Sequence, residues 1–293
     1  MTTTVTAPGT PAPAVPRRPG AGALRQYLTA LRTPRGAFGA GLLLALVAVA
    51  LLAPVLFPGG YDDQSGDSLA GASAAHWMGT DELGRDILAR TIYGLRTDLS
   101  LILAAVPVSA VVGTLMGLTG VVSRLLGAAM QRALDIILGF PGLVLGMSVV
   151  LVLGTGWLSL FVAVLISGLP GFGRLSRAGL QVEQEREYVL AAKVLGVRKR
   201  TVLVRHVLPN IMDPIVVGAA VYMVVAIFIV SGLSIVGLGI KPPVPSLGAM
   251  LNVGARYIEV HPAYVLGPGL VLLLLALAFT LLSNALNKAV LRK

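Results

Sequence analysis

EQEREYVLAAKVLGVRKRTVLVRHVLPN, residues 183–210, is the longest polar interval in the second half of the chain, and apolar, membrane-length runs lie on both sides of it. Tyr188, Ala192 and Leu195 stand at i, i+4 and i+7, which predicts a short helix from Glu187 to Leu195 with those three on one face. Gly196 supplies its stop, because a residue without Cβ takes the left-handed conformation after a helix without strain. Arg198 to Leu208 predicts a second short, basic helix that Pro209 ends. Small side chains at Ala191, Ala192 and Gly196 would let another protein's backbone come close. A helix–turn–helix between membrane spans, with a small-residue face, has the form of a docking knob.

The flanking runs decide the class of the fold. Hydrophobic residues make up 56% of the 293 and charged residues 12%, which is far from the balance of a water-soluble domain. Five stretches carry no charge at all: 36–61, 99–123, 136–173, 214–240 and 262–287. Each exceeds the roughly 20 residues that cross a hydrocarbon core about 30 Å thick. The third is too long for one span, and Gly154-Thr155-Gly156 followed by Trp157 divides it. Six transmembrane helices follow, at about 38–57, 99–121, 134–153, 157–173, 211–236 and 264–286. Helices are required because backbone in hydrocarbon must satisfy its own hydrogen bonds. On this reading ionisable residues are missing from the middle of every span.

The formal charge of +10 is explained by topology and not by nucleic acid. With the N-terminus inside, 18 of the 23 Lys and Arg residues fall on the cytoplasmic side, as the positive-inside rule requires. There is no cysteine, which removes disulfides and cysteine-based metal or redox chemistry. No Gly-Lys pair occurs, so a phosphate-cradling P-loop is absent, and His76, His206 and His261 are too scattered for a zinc motif. No nucleophile–base arrangement is legible. The chain reads as non-catalytic, with no metal site and no cofactor of its own.

The 183–210 stretch resembles the cytoplasmic "EAA" loop of bacterial ABC-importer permeases. Glu187-Tyr188-Val189, Ala191-Ala192, Gly196, Arg205-His206 and Leu208-Pro209-Asn210 match the variant of the dipeptide, oligopeptide and nickel branch. Leu190 stands where the general pattern has Glu, and His206 where it has Ile. A second match is His76-x-x-Gly79-Thr80-Asp81-x-x-Gly84-Arg85-Asp86, followed by Arg90 and Tyr93-Gly94-x-Arg96, similar to that branch's signature before its second span. Ala89 and Asp98 replace expected serines. A third match runs from Leu233 through Gly237-Leu238-Gly239 to Pro242-Pro243-x-Pro245-Ser246-x-Gly248, with Leu247 in place of the usual Trp.

The resemblance covers about residues 38–286 and implies a type I importer permease fold with cytoplasmic coupling helices. It implies that Glu187, Ala191, Ala192, Gly196, His206, Leu208 and Pro209 dock an ATP-binding subunit. It also implies that Gly79, Thr80, Asp81, Gly84, Arg85 and Asp86 shape an outer mouth facing a delivery protein. The expected assembly holds two ATP-binding subunits, which bring ATP and Mg²⁺, a second homologous permease and an extracytoplasmic solute-binding protein. The expected cargo is a di- or oligopeptide, with nickel or another small solute as the alternative; a secondary transporter would need ionisable groups at membrane depth. The expected site is a bacterial inner (plasma) membrane, multi-pass, with both termini cytoplasmic. The organisation predicted is a cytoplasmic segment 1–36, disordered over 1–22, and a permease domain 37–293 with an outer segment 58–98 and a coupling loop 179–210.

Overall fold

The computed structural model describes residues 27–291, so the low-complexity stretch 1–22 lies outside the described residues. A helical turn at 27–31 leads into α1 (Pro34–Leu56), α2 (Ile87–Leu118), α3 (Arg124–Leu138), α4 (Gly142–Leu153) and α5 (Trp157–Gln184). There follow α6 (Glu187–Val194), α7 (Lys199–Val202), α8 (Leu208–Ile235), α9 (Leu247–Gly254) and α10 (Ala263–Leu291). No strand occurs among the described residues, only two isolated bridges. Five helices are long and apolar enough to cross a membrane, and α3 with α4 would make a sixth if taken as one broken span.

The helix starts are written locally. Thr33 caps α1, accepting from the Gly36 amide at 3.2 Å, and Pro34 occupies the first turn, where a missing N–H costs nothing. Asp86 caps α2 through the Ala89 amide at 2.8 Å, and Ser246 caps α9 through the Ala249 amide at 3.3 Å.

Four boundaries differ from the sequence expectation. The predicted span at 134–153, expected to kink at Phe140-Pro141-Gly142, is broken at that point into two helices bent by 97°. Pro141 has no amide hydrogen and disfavours helical backbone at Phe140, so the chain breaks there. Upstream, α3 carries Arg124, Gln131, Arg132 and Asp135 along one face and is amphipathic. Alone, α4 has 12 residues, about 18 Å, which is short of a bilayer core.

The second and fourth spans are longer than predicted. A helix expected to begin at Asp86 runs without a break into the span expected from residue 99, so α2 opens at Ile87, and α5 runs to Gln184. Asp98 therefore lies inside a span, fully buried, with its Oδ2 accepting from the Leu247 amide at 3.0 Å. Asp213 sits similarly inside α8 and accepts from the Tyr27 hydroxyl at 2.7 Å. Ionisable groups are thus present within the spans, each engaged with another part of the chain.

Pro209 does not end a helix. A π-helical turn at Leu203–Val207 widens the backbone just before it, and α8 begins at Leu208 with Pro209 in its first turn. The wide turn accommodates the ring that would clash in an α-helix interior, so 199–235 runs as one long element.

The core lies along α2 and α5. An added Cβ at Gly113 would fall 2.7 Å from the Leu169 carbonyl oxygen, and one at Gly117 would fall 2.2 Å from that of Gly173. A Cβ at Gly120, just past the end of α2, would meet nothing. Ser109 donates to the Leu165 carbonyl at 2.8 Å and Ser176 to that of Thr114 at 3.3 Å. In an apolar medium, where tails and side chains are equally oily, such close backbones and interhelical hydrogen bonds hold helices together. Gly117→Leu should therefore lower the unfolding midpoint of the detergent-solubilised protein, by roughly 1–3 kcal/mol of overpacking strain. An unchanged midpoint would show that this contact is looser than the geometry states.

Candidate functional site

The hairpin between α5 and α8 is built from the backbone upward. At the end of α6 the Val197 amide donates to the Ala192 carbonyl and the Leu195 amide to that of Ala191, both at 3.0 Å. Gly196 between them has φ +73°, so this is a Schellman closure that needs a residue without Cβ. Its inner side is apolar: Val189, Val202 and Val207 are buried with Leu180 of α5 and Ile211 of α8.

A polar latch joins the same three elements. The Tyr188 hydroxyl donates to the Glu183 carboxylate at the end of α5 and accepts from the Asn210 amide of α8 at 2.9 Å. Asn210 also donates to the His206 carbonyl at 2.8 Å, inside the π-helical turn. The Tyr188 and His206 rings lie 6.0 Å apart. Burial, then the bond to Glu183, push the Tyr188 hydroxyl up to about 12. That lies above the ordinary tyrosine value of about 10, so the latch keeps its proton below pH 10 and weakens as pH rises through 12.

The outer side of the hairpin has no cover among the described residues. Val194 is 87% exposed and Leu195 80%, with Leu190, Val197, Ala191 and Gly196 exposed around them. Arg198, Lys199, Arg200 and Arg205 are exposed alongside. An apolar patch beside a basic rim is the make-up of a protein contact surface.

The sequence-predicted residues divide between the two sides. Glu187, Ala191, Gly196, His206 and Pro209 are exposed, whereas Ala192 and Leu208 are half-buried against the hairpin's own core. The face expected from Tyr188, Ala192 and Leu195 is split, because α6 stops at Val194 and Leu195 turns outward with the closure. Sequence reading missed Leu190 and Val194 as surface groups. Their i, i+4 spacing beside Ala191 and Leu195 was the available signal. It also missed the Glu183–Tyr188–Asn210 latch, whose members are ordinary residues until the fold brings them together.

The outer motif forms a buried charged knot. Asp81 is fully buried; its Oδ1 accepts from the Leu83 and Arg85 amides, both at 2.9 Å, and its Oδ2 from Arg85 Nε at 2.7 Å. Arg90 Nε pairs with the same oxygen at 3.2 Å. Arg85 reaches Asp62 at 3.3 Å and Glu82 at 3.4 Å, while Glu82 accepts from the Tyr264 hydroxyl of α10 at 2.8 Å. Burial pulls the Arg85 guanidinium down, but its carboxylate partners outweigh that and hold it above its ordinary value.

Gly84 is required by close approach, since an added Cβ would lie 2.1 Å from the Ser65 carbonyl oxygen. Gly79, Thr80, Asp81, Gly84 and Arg85 are all buried, and Asp86 is half-buried and paired with His76 at 2.8 Å. These six residues bind the outer segment to α2 and α10 and offer little surface of their own. No group of three or more His, Cys, Asp or Glu that could hold a metal occurs among the described residues.

Comparison with known proteins places this geometry. Residues 109–293 match the model of the binding-protein-dependent transport system inner membrane component family. The chain belongs to this family of ABC-importer permeases. It is similar to a dipeptide transport system permease of Alkalihalophilus pseudofirmus, 34% identical with 85% of this chain and 82% of the relative covered. It is similar to a glutathione transport system permease of Pectobacterium atrosepticum, 37% identical over 86% and 85%. A di/tripeptide transport system permease of Pseudomonas aeruginosa is 37% identical over 91% of each chain. The fold is accordingly the type I importer permease fold, and the importer permease is a multi-pass membrane protein.

Two expectations follow from this geometry. Asn210→Ala or Tyr188→Phe should speed amide hydrogen exchange across 187–197 by about tenfold, the loss of a hydrogen bond worth about 1 kcal/mol or slightly more. Exchange at the wild-type rate would mean that the apolar side alone holds the hairpin. Asp81→Asn should sharply reduce the folded fraction in membranes, because buried Arg90 loses its carboxylate partner and Arg85 one of its three, at a cost of roughly 3–5 kcal/mol. Wild-type levels and wild-type thermal stability would contradict that role.

Proposed function

We propose that this chain is the permease subunit that carries di- or oligopeptides across a bacterial cell membrane, in an importer powered by separate ATP-binding subunits. The exposed patch formed by Leu190, Ala191, Val194, Leu195 and Gly196 carries this reading. It stands at the tip of a hairpin suspended between two spans, where a partner's groove has free access. The names of the relatives are the reason to prefer peptides over nickel. The assembly would contain two ATP-binding subunits with their ATP and Mg²⁺, a second permease of the same kind and an extracytoplasmic solute-binding protein. Both termini would be cytoplasmic, with α3 and α4 together making the sixth crossing, in keeping with the distribution of Lys and Arg. Residues 37–293 form the permease domain in this reading, and 1–36 precede it on the cytoplasmic side.

The mechanism follows from how the hairpin is attached. The latch and the buried valines bind α6 to the last turn of α5 and the first turn of α8. A force on the hairpin therefore reaches both spans together. ATP bound between partner subunits favours one of two arrangements of the permease, and the hairpin transmits that preference to the spans. The outer segment, fixed by Asp81 and Arg85, would meet the solute-binding protein as a rigid rim.

Purification of the tagged chain from mild detergent tests this reading. Recovery of P-loop ATPases, a second permease and ATP hydrolysis is the expected result; recovery of this chain alone would overturn it. Gly196→Trp should remove the ATP-binding subunits from the purified material while leaving membrane insertion intact. Its large side chain and Cβ would strain a left-handed residue and cover the patch.

A further inference from the structure

Where the first and last spans meet, α1 and α10 enclose a cavity of about 470 Å³ with the turn 27–31. Its lining includes Arg35 at the start of α1, Asn284 and Lys288 on one face of α10, and Thr29 and Thr33. Ala30, Ala285 and Ala289 give it an apolar side. The cavity is a built feature of the fold. An added Cβ at Gly39 would lie 2.8 Å from Leu281 Cβ and 3.3 Å from the Ala278 carbonyl oxygen, so α1 and α10 touch just beyond it. The turn 27–31 is braced on α8 by the Tyr27–Asp213 hydrogen bond and on α10 by Ala30 packed against Ala285 and Leu286.

The charge of the cavity is unbalanced. No carboxylate lines it, and neither Arg35 nor Lys288 has an ion-pair partner among the described residues. The amides of the first turn of α1 add little, since Thr33 accepts from Gly36 N and its carbonyl from Ala37 N. The positive potential comes from two side chains on helices about 250 residues apart in sequence.

The surroundings are those of a membrane boundary. Phe38, one turn further along α1, is 61% exposed, and Leu44 of α1 and Leu273 and Leu277 of α10 are exposed along the same spans. A ligand here would meet cations and an amide at its head and apolar helix flanks at its tail. Arginine matches the oxygens of a phosphate group through two parallel N–H bonds, and lysine adds a point charge.

We propose that this cavity binds the phosphate headgroup of an anionic phospholipid, with the acyl chains lying along the exposed flanks of α1 and α10. A free phosphate ion would satisfy the same cations but would make no use of those flanks. The site shares no lining residue with the hairpin patch and does not depend on what the permease carries.

The test uses the assembled complex in nanodiscs containing phosphatidylcholine with phosphatidylglycerol or cardiolipin, and reads retained lipid by native mass spectrometry. The intact protein should keep the anionic lipid in preference to phosphatidylcholine. The double variant Arg35→Gln/Lys288→Gln should bind it about 25-fold more weakly, at roughly fivefold per basic residue. Arg35→Lys/Lys288→Arg, which keeps both charges and controls for folding, should retain it. Arg124→Gln, an exposed cation on α3, should change nothing. Equal retention by the double variant, or an equal loss in Arg124→Gln, would overturn the site. Displacement of the lipid by millimolar inorganic phosphate would also overturn the lipid assignment and leave a free-anion site.

Discussion

Backbone amides and carbonyls in hydrocarbon have no water to bond, and that constraint governs every feature of this chain. It makes the five long helices obligatory and pushes irregular structure to their ends. Where the helical path is interrupted, the interruption is satisfied locally. The π-helical turn at Leu203–Val207 is closed by the Asn210 side chain, which donates to the His206 carbonyl. The break at Phe140-Pro141 falls where an amphipathic helix gives way to an apolar one.

With the interior committed to packing, specific polar chemistry collects at the two ends. At one end of the bundle, Asp81 gathers two backbone amides and two arginines into a knot that binds the loop 57–86 to the helix ends. At the other end, one tyrosine and one asparagine join the hairpin to two spans. The two devices do opposite work with similar means. The outer knot is buried and self-satisfied, which suits a rigid rim. The inner latch leaves its apolar face uncovered, which suits a surface completed by another protein.

Much of this was legible in the sequence. Charge-free runs located five spans, Gly196 announced the hairpin's turn, and the Lys and Arg distribution gave an orientation. What was lost was lost for physical reasons. Charge-free runs end at the first ionisable residue, so Asp98 was placed outside a span that in fact contains it, buried against the Leu247 amide. Proline reads as a helix stop, but at Pro209 a widened turn removes the clash. Spacing on α6 placed Leu195 beside Ala192 only as long as the helix continued, and it ended one residue earlier. The α1–α10 cavity unites residues from distant parts of the chain, and the latch pairs residues of one stretch that no helical spacing brings together, so no local pattern signals either.

The chain has no cysteine, which gives a direct route to the central claim that the hairpin's outer patch is a subunit contact. A single Val194→Cys substitution places one thiol at an 87% exposed position on α6. Its reaction with a membrane-permeant maleimide should be compared in the purified permease and in the assembled complex, followed by short-span cross-linking. The account predicts fast labelling of the permease alone, strong protection in the complex and a cross-link to an ATP-binding subunit. Equal labelling in both states, with no cross-link to such a subunit, would contradict it.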